Sequence, residues 1–284
     1  MYDVKGSRAI ITGSAQGLGK EYADRLLQNG CKVCLSDIDE VKGLETKMQF
    51  QKQFQLKDDG VCFVKCDITK KDDWSELWEL AEKSLKGPID ILINNAGLSA
   101  VSILIDKCQN KIYWNQNYLI YRVGTRCWTS WWWDMFVVFS WLLRRWGDHM
   151  VKFWSFIIDE DSFQILIFHF QGGRGGRIIN TASAAGLTTS PPLGDLNTTT
   201  YAVAKHAMVS MTRSFLTSDP PVYESEGIKC YALCPGFVET NLVQKALDDR
   251  GLTNQELTQK TNMRVMTTKE IGDALVKSLQ YDKV

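Results

Sequence analysis

Arg8-Ala9-Ile10-Ile11-Thr12-Gly13-Ser14-Ala15-Gln16-Gly17-Leu18-Gly19 decides how this chain is read. Arg8 to Ile11 is a short, mostly apolar run of the kind a buried parallel strand shows. Leu18, Tyr22, Leu26 and Leu27 then share one face of an amphipathic stretch, and Asn29-Gly30 closes it as a helix end. Between strand and helix, the glycines permit a tight turn. They also let backbone N–H groups approach an anion at the positive end of the helix. A glycine triplet by itself is weak. Framed by a strand and a helix, it points to a pyrophosphate held by Gly13, Gln16, Gly17, Leu18 and Gly19.

The same rhythm continues outward. Cys31 to Leu35 reads as a second strand and Val61 to Val64 as a third. Thr69 can cap a helix carrying Trp74, Leu77, Trp78, Ala81 and Leu85, which stops at Gly87-Pro88 before a fourth strand, Ile89 to Ile93. It resumes with a strand at Arg177 to Asn180, a helix from about Tyr201 to Leu216 and a strand from Ile228 to Leu233. A last helix starts at Thr267 or Thr268. Alternating strands and helices predict an α/β fold, a doubly wound parallel sheet with helices on both faces, in one domain spanning 1–284. Such a sheet normally has one more strand after that helix, so the last strand is expected to be missing.

The 284 residues carry 33 basic and 33 acidic side chains and are 44% hydrophobic. That is ample material for a core. Balanced charge leaves no footprint for nucleic acid, and no apolar run reaches the ~18 residues of a membrane span. No secretory leader opens the chain, and eight cysteines suit reduced thiols, so a cytoplasmic protein is expected. Ten tryptophans are the anomaly: eight lie between Trp114 and Trp154, inside an atypical segment, 98–174. Arg177 lies 80 residues beyond Gly97, where one crossover needs only ~30. The segment reads as an added lipid- or partner-facing flap, as extra core, or as translated non-coding sequence.

Asp37 follows the second strand, about 20 residues beyond the glycines, where a carboxylate can accept hydrogen bonds from ribose hydroxyls. It would repel a 2′-phosphate, and Ser14, Ala15 and Gln16 offer no basic residue to attract one. The pocket therefore reads as one for NAD rather than NADP. Tyr201 and Lys205 stand four apart and share one helix face. An ammonium beside a phenol favours the phenolate, lowering a pKa of ~10 and making Tyr201 a candidate general base. Ser183, just past a strand, could orient a substrate oxygen.

Together these residues resemble the short-chain dehydrogenase/reductase family, whose fold is of Rossmann type. The TGxxxGxG loop, Asp37, Cys66-Asp67-Ile68, Asn94-Asn95-Ala96-Gly97, Ser183, the YxxxK pair and Pro235-Gly236 occur in the family's order, across 1–97 and 175–243. The resemblance implies that Cys66, Asp67 and Ile68 flank the adenine and that Asn95 supports the ribose side. It further implies that Val238 and Thr240 meet the carboxamide, and that Lys205 binds the nicotinamide ribose. Tyr201 would take the hydroxyl proton of an alcohol held by Ser183. Asn117 best matches the family's fourth catalytic residue, although it lies further from Gly97 than is usual. A homodimer is also implied, and the substrate is expected to be a secondary alcohol on an apolar molecule, oxidised to a ketone. Two rivals stand beside this: an impaired relative that binds only nucleotide or partner, and an NADP-dependent carbonyl reductase.

No metal is expected. Cys31 and Cys34 form a CxxC, but on a strand they point to opposite faces. His149, His169 and His206 have no cluster of ligands at metal-binding spacing.

Overall fold

Successive residues of β1 (Arg8–Thr12) enter opposite faces of a sheet, and both faces are buried. Ala9 and Ile11 join one apolar cluster, whereas Ile10 joins the other. β4 (Ile91–Asn94) does the same, sending Ile91 and Ile93 one way and Leu92 the other. That is why these strands read as continuous apolar runs rather than as alternation. The computed structural model describes residues 2–97, 175–188, 196–217, 224 and 227–281.

The other strands are β2 (Lys32–Asp37), β3 (Val61–Lys65), β5 (Gly176–Thr181) and β6 (Ile228–Leu233). All pair in parallel in the order β3-β2-β1-β4-β5-β6, the doubly wound order of a dinucleotide-binding sheet. The order reverses between β1 and β4. In doubly wound sheets ligands bind outside the carboxyl ends of the strands at such a switch point, and the glycine loop follows β1 there.

The helices are α1 (Gly17–Gln28), α2 (Glu40–Phe54), α3 (Lys71–Leu85), α4 (Leu196–Thr217), α5 (Asn241–Asp248), α6 (Asn254–Thr261) and α7 (Thr268–Gln280). One core packs Tyr22, Leu26, Phe50, Leu275 and Leu279, from α1, α2 and α7, onto the sheet. The other packs Trp74, Leu77, Trp78 and Leu85 of α3, with Phe215 of α4 at its margin. Each fully buried side chain of this size contributes about 1.5–3 kcal/mol. Two tryptophans are thereby explained as core.

The CxxC behaves as expected: Cys31 lies in the first cluster and Cys34 in the second, on opposite faces. No group of residues able to hold a metal ion is found among the described residues. Nor is any helix among the described residues long and apolar enough to cross a membrane. Three sequence expectations need revision. Thr69 does not cap α3, because its N–H and hydroxyl both turn back to Asp67 Oδ1, at 3.1 and 2.8 Å. α4 begins at Leu196, so Tyr201 sits in its second turn. α2 was not foreseen, since its buried face carries Gly43, Thr46 and Phe50 while Val41, Leu44 and Met48 face outward. The aromatic segment and the expected absence of a last strand lie outside the described residues.

The last helix starts where expected. Thr267 caps α7 and accepts from the Glu270 N–H at 3.2 Å, while Glu270 reaches back to the Thr267 N–H at 2.9 Å. Arg264 adds two hydrogen bonds to the same carboxylate, at 2.7 and 3.1 Å. The Arg264 hydrogen bonds, ahead of the cap, pull Glu270 down to about 2. A carboxyl whose pKa is lowered on folding stabilises above its unfolded value and loses that contribution as pH falls through the folded one. Thermal stability should therefore drop between about pH 4.5 and about pH 2. Arg264→Gln should move that drop to higher pH; an unmoved melting profile would count against the pairing.

Candidate active site

The glycine loop is built by close approach. Gly13 has φ +65°, and a Cβ there would stand 2.7 Å from the Ala96 Cα. At Gly19 a Cβ would stand 2.2 Å from the Gly13 carbonyl oxygen and 2.6 Å from Asn95 Nδ2. Asn95 holds this arrangement by donating its side-chain amide to the carbonyls of Thr12 and Gly13, at 3.1 and 3.0 Å. The Thr12 hydroxyl accepts from the N–H groups of Asn95 and Ala96, both at 3.1 Å. The Asn-Asn-Ala-Gly run is thus the buttress of the loop.

Gly17 differs. Its φ is +60°, yet nothing lies within 4 Å of where a Cβ would be, so its side faces open space. Gln16, the N-cap of α1, makes no side-chain cap bond, and the first turn has no acidic residue. By contrast α2, α5, α6 and α7 are each capped by a side chain. The first N–H groups of α1 are therefore left for an anion, with the helix dipole behind them. Uncapped N–H groups over a bare backbone cradle fit the pyrophosphate of a dinucleotide.

Asp37 ends β2, and its carboxylate is fixed by two backbone donors. The Ala15 N–H reaches one oxygen at 2.9 Å and the Asp39 N–H the other at 3.1 Å. Cys66 is buried at the end of β3, where its N–H bonds the Asp37 carbonyl at 3.1 Å. Its thiol is pushed up to about 12, first by burial. The Asp67 carboxylate is taken up by Thr69 and by Lys70 at 3.8 Å, and the Ile68 carbonyl accepts from the Trp74 indole at 3.0 Å. These contacts give Cys66, Asp67 and Ile68 a fixed backbone at the end of the sheet nearest Asp37.

Ser183 leaves β5 and caps a single turn of tighter helix, Ala184–Gly186, by accepting from the Ala185 N–H at 3.2 Å. Gly186 lets that turn meet α4, since a Cβ there would stand 2.5 Å from the Lys205 carbonyl oxygen. Sequence reasoning missed Gly186; its spacing, three residues past Ser183, was the only signal. The contact brings Ser183, whose hydroxyl donates to the Pro235 carbonyl at 3.4 Å, close enough to Tyr201 to act on its phenol. Burial raises the Tyr201 phenol from its usual range, and the nearby Ser183 hydroxyl partly opposes the rise.

Lys205 stands beside Tyr201 as the spacing predicts. Its amine is 5.7 Å from the centre of the Tyr201 ring and donates to the Thr181 carbonyl at 2.7 Å. Burial lowers Lys205 itself to about 8. Val238 is buried and paired by backbone with Met266. Thr240 caps α5, its hydroxyl donating to the Val238 carbonyl at 3.3 Å. Asn117 lies outside the described residues.

A phosphate cradle at the switch point, a fixed carboxylate at the end of β2 and a Ser–Tyr–Lys group beyond β5 define a nucleotide-dependent oxidoreductase of the doubly wound class. The family model for short chain dehydrogenase matches residues 7–123, and the one described as enoyl-(acyl carrier protein) reductase matches residues 166–278. The chain belongs to the short-chain dehydrogenase/reductase family. It is 28% identical over 267 residues to the NAD(+) 15-hydroxyprostaglandin dehydrogenase of Mus musculus, covering 93% of this chain and 78% of that one. It is 30% identical over 234 residues to the (S)-acetoin forming diacetyl reductase of Staphylococcus epidermidis, covering 82% and 72%. Among solved structures, a family member from Burkholderia phymatum in complex with NAD superposes with a TM-score of 0.63 at 20% identity, over 99% of this chain and 88% of that one.

Proposed function

We propose that this protein oxidises a secondary alcohol to a ketone with NAD, in the manner of 15-hydroxyprostaglandin dehydrogenase. The observation that carries the reading is the grouping of Ser183, Tyr201 and Lys205: the turn capped by Ser183 packs through Gly186 on α4 at Lys205, whose amine stands 5.7 Å from the centre of the Tyr201 ring. Gly13, Gln16, Gly17, Leu18 and Gly19 would hold the pyrophosphate, and Asp37 the adenosine ribose. Cys66, Asp67 and Ile68 would bound the adenine, with Asn95 supporting the ribose side, and Val238 and Thr240 would meet the carboxamide. Bound NAD supplies the hydride acceptor. Ser183 then orients the alcohol oxygen, Tyr201 removes its proton as general base, and Lys205 holds the nicotinamide ribose. Asn117 completes the catalytic set in this proposal.

An apolar substrate is supported by two exposed side chains that lie close in sequence to residues of the proposed site. Leu187, one turn past Ser183, is 54% exposed, and Leu242, two residues past Thr240, is 49% exposed. The proposal includes a single-domain chain acting as a homodimer in the cytoplasm.

The test is NADH formation by purified protein with a 15-hydroxyprostaglandin, a 3β-hydroxysteroid and acetoin, substrates suggested by the names of its relatives. A protein that binds NAD yet oxidises none of a broad panel of secondary alcohols sinks the proposal. Asp37 sets the cofactor in this reading. Hydrogen bonds to a charged group contribute about 1.5–3 kcal/mol. Asp37→Ala should therefore lower kcat/KM for NAD about 10- to 100-fold while sparing NADP. An unchanged NAD-to-NADP ratio would remove Asp37 from that role.

A further inference from the structure

A buried chain of polar side chains runs behind the catalytic group, and the proposed mechanism does not use it. Asn94, at the end of β4, donates its side-chain amide to Asn180 Oδ1 at 2.9 Å. Asn180, in β5, donates in turn to the Thr212 hydroxyl of α4 at 2.9 Å. Thr212 passes its single proton to the Met208 carbonyl, also at 2.9 Å. The direction of every bond is thereby set, and Asn180 and Thr212 are almost wholly buried, at 0% and 4% exposure.

Thr212 lies seven residues beyond Lys205, two helical turns along the same face. Asn180 immediately precedes Thr181, whose carbonyl holds the Lys205 amine. At the other end Asn94 adjoins Asn95, the buttress of the glycine loop. Among the described side chains of α4, only Ala202, Val209 and Thr212 are fully buried. With Phe215 only at the margin of the core, these two small apolar residues give the helix little to fix its rotation or its slide along the sheet. Directional hydrogen bonds do fix it, because a shift of about 1 Å breaks their geometry.

We infer that Asn180 and Thr212 are positioning residues: their hydrogen bond latches α4 to β5 and so sets where Tyr201 and Lys205 stand relative to Ser183 and the cofactor crevice. The inference rests on the proposed dehydrogenase reading for what the positioned groups do. Neither residue touches substrate or cofactor. Each acts through the helix, and Asn94 ties that helix to the strand whose end buttresses the pyrophosphate loop.

Thr212→Val keeps the shape and removes the hydroxyl. A misplacement of about 1 Å costs on the order of 100-fold in rate. With full-length protein, kcat for the best alcohol should fall about 10- to 100-fold, with the KM values for alcohol and NAD within about threefold. Thr212→Ser, which restores the hydroxyl, should recover most of the rate. Lys205, held at about 8 by burial, should titrate closer to the ordinary lysine range in Thr212→Val when followed by NMR on labelled protein. That titration needs no substrate, so it separates the two ideas. A wild type inactive on every alcohol defeats the dehydrogenase reading and leaves Lys205 to judge the latch. If Thr212→Val does not accumulate folded, Thr212→Ala, which leaves room for a bridging water, carries the same expectations. A variant with wild-type kcat and Lys205 titration overturns the latch. So does a rate that falls only in proportion to the folded fraction, or one that Thr212→Ser fails to restore.

Discussion

Tyr201→Phe is expected to lower kcat for alcohol oxidation by about 10²- to 10⁴-fold, the range general base catalysis supplies, while leaving NAD affinity within about twofold. The ring keeps its place in α4, so only the hydroxyl is lost. Burial lifts the Tyr201 phenol above its usual range, and Ser183 opposes that rise only in part. In the wild type the reactive phenolate therefore grows as pH rises, and kcat/KM should climb from neutral into alkaline pH. Tyr201→Phe should show a flat profile at its low residual rate. Steady-state rates across pH with matched NAD titrations check both halves. A variant retaining more than a tenth of the wild-type rate would take the general base away from Tyr201.

Gly19→Ala is expected to weaken NAD binding by more than about 100-fold and to destabilise the fold by about 1–3 kcal/mol, the usual cost of overpacking a filled site. The added methyl would stand 2.2 Å from the Gly13 carbonyl oxygen, so backbone rather than a flexible side chain must move. It would also press Asn95 Nδ2, at 2.6 Å, away from the two carbonyls it holds. Gly17→Ala is the informative contrast. Nothing crowds its side chain, and the penalty is only that of a left-handed residue, about 1–2 kcal/mol at φ +60°. Urea unfolding and calorimetric NAD titration of both variants decide the matter. NAD affinity in Gly19→Ala within threefold of the wild type would show that the loop can yield at that point.

The strands were the most legible part of the chain. Ile10, Ile11, Ile91, Leu92 and Ile93 are apolar in succession because both faces of a parallel sheet are covered, and only a central strand tolerates that. The helix at Glu40–Phe54 was illegible for the opposite reason. Its inward positions include Gly43, where a Cβ would lie 2.0 Å from the Phe63 ring, and Thr46, whose hydroxyl bonds the Ala15 carbonyl at 2.8 Å. Close packing and a hydrogen bond do there what large apolar side chains do elsewhere, so hydrophobic period carried no signal.

Local order in the chain determined the glycine turn between a strand and a helix, the carboxylate one strand later, and a tyrosine and a lysine one helical turn apart. Those relations span few residues, and strand and helix geometry settles them without reference to the rest of the molecule. What Lys205 does in the folded chain was decided only by tertiary structure. Helical spacing brings it beside Tyr201, but β5 offers the Thr181 carbonyl 2.7 Å from its amine, and a buried ammonium takes the acceptor within reach. The placing of Ser183 through Gly186, and the Asn94–Asn180–Thr212 chain that fixes α4, depend in the same way on residues far apart in sequence. Such contacts exist only once β4, β5 and α4 have packed, because each polar group must then find its partner inside the protein rather than in water.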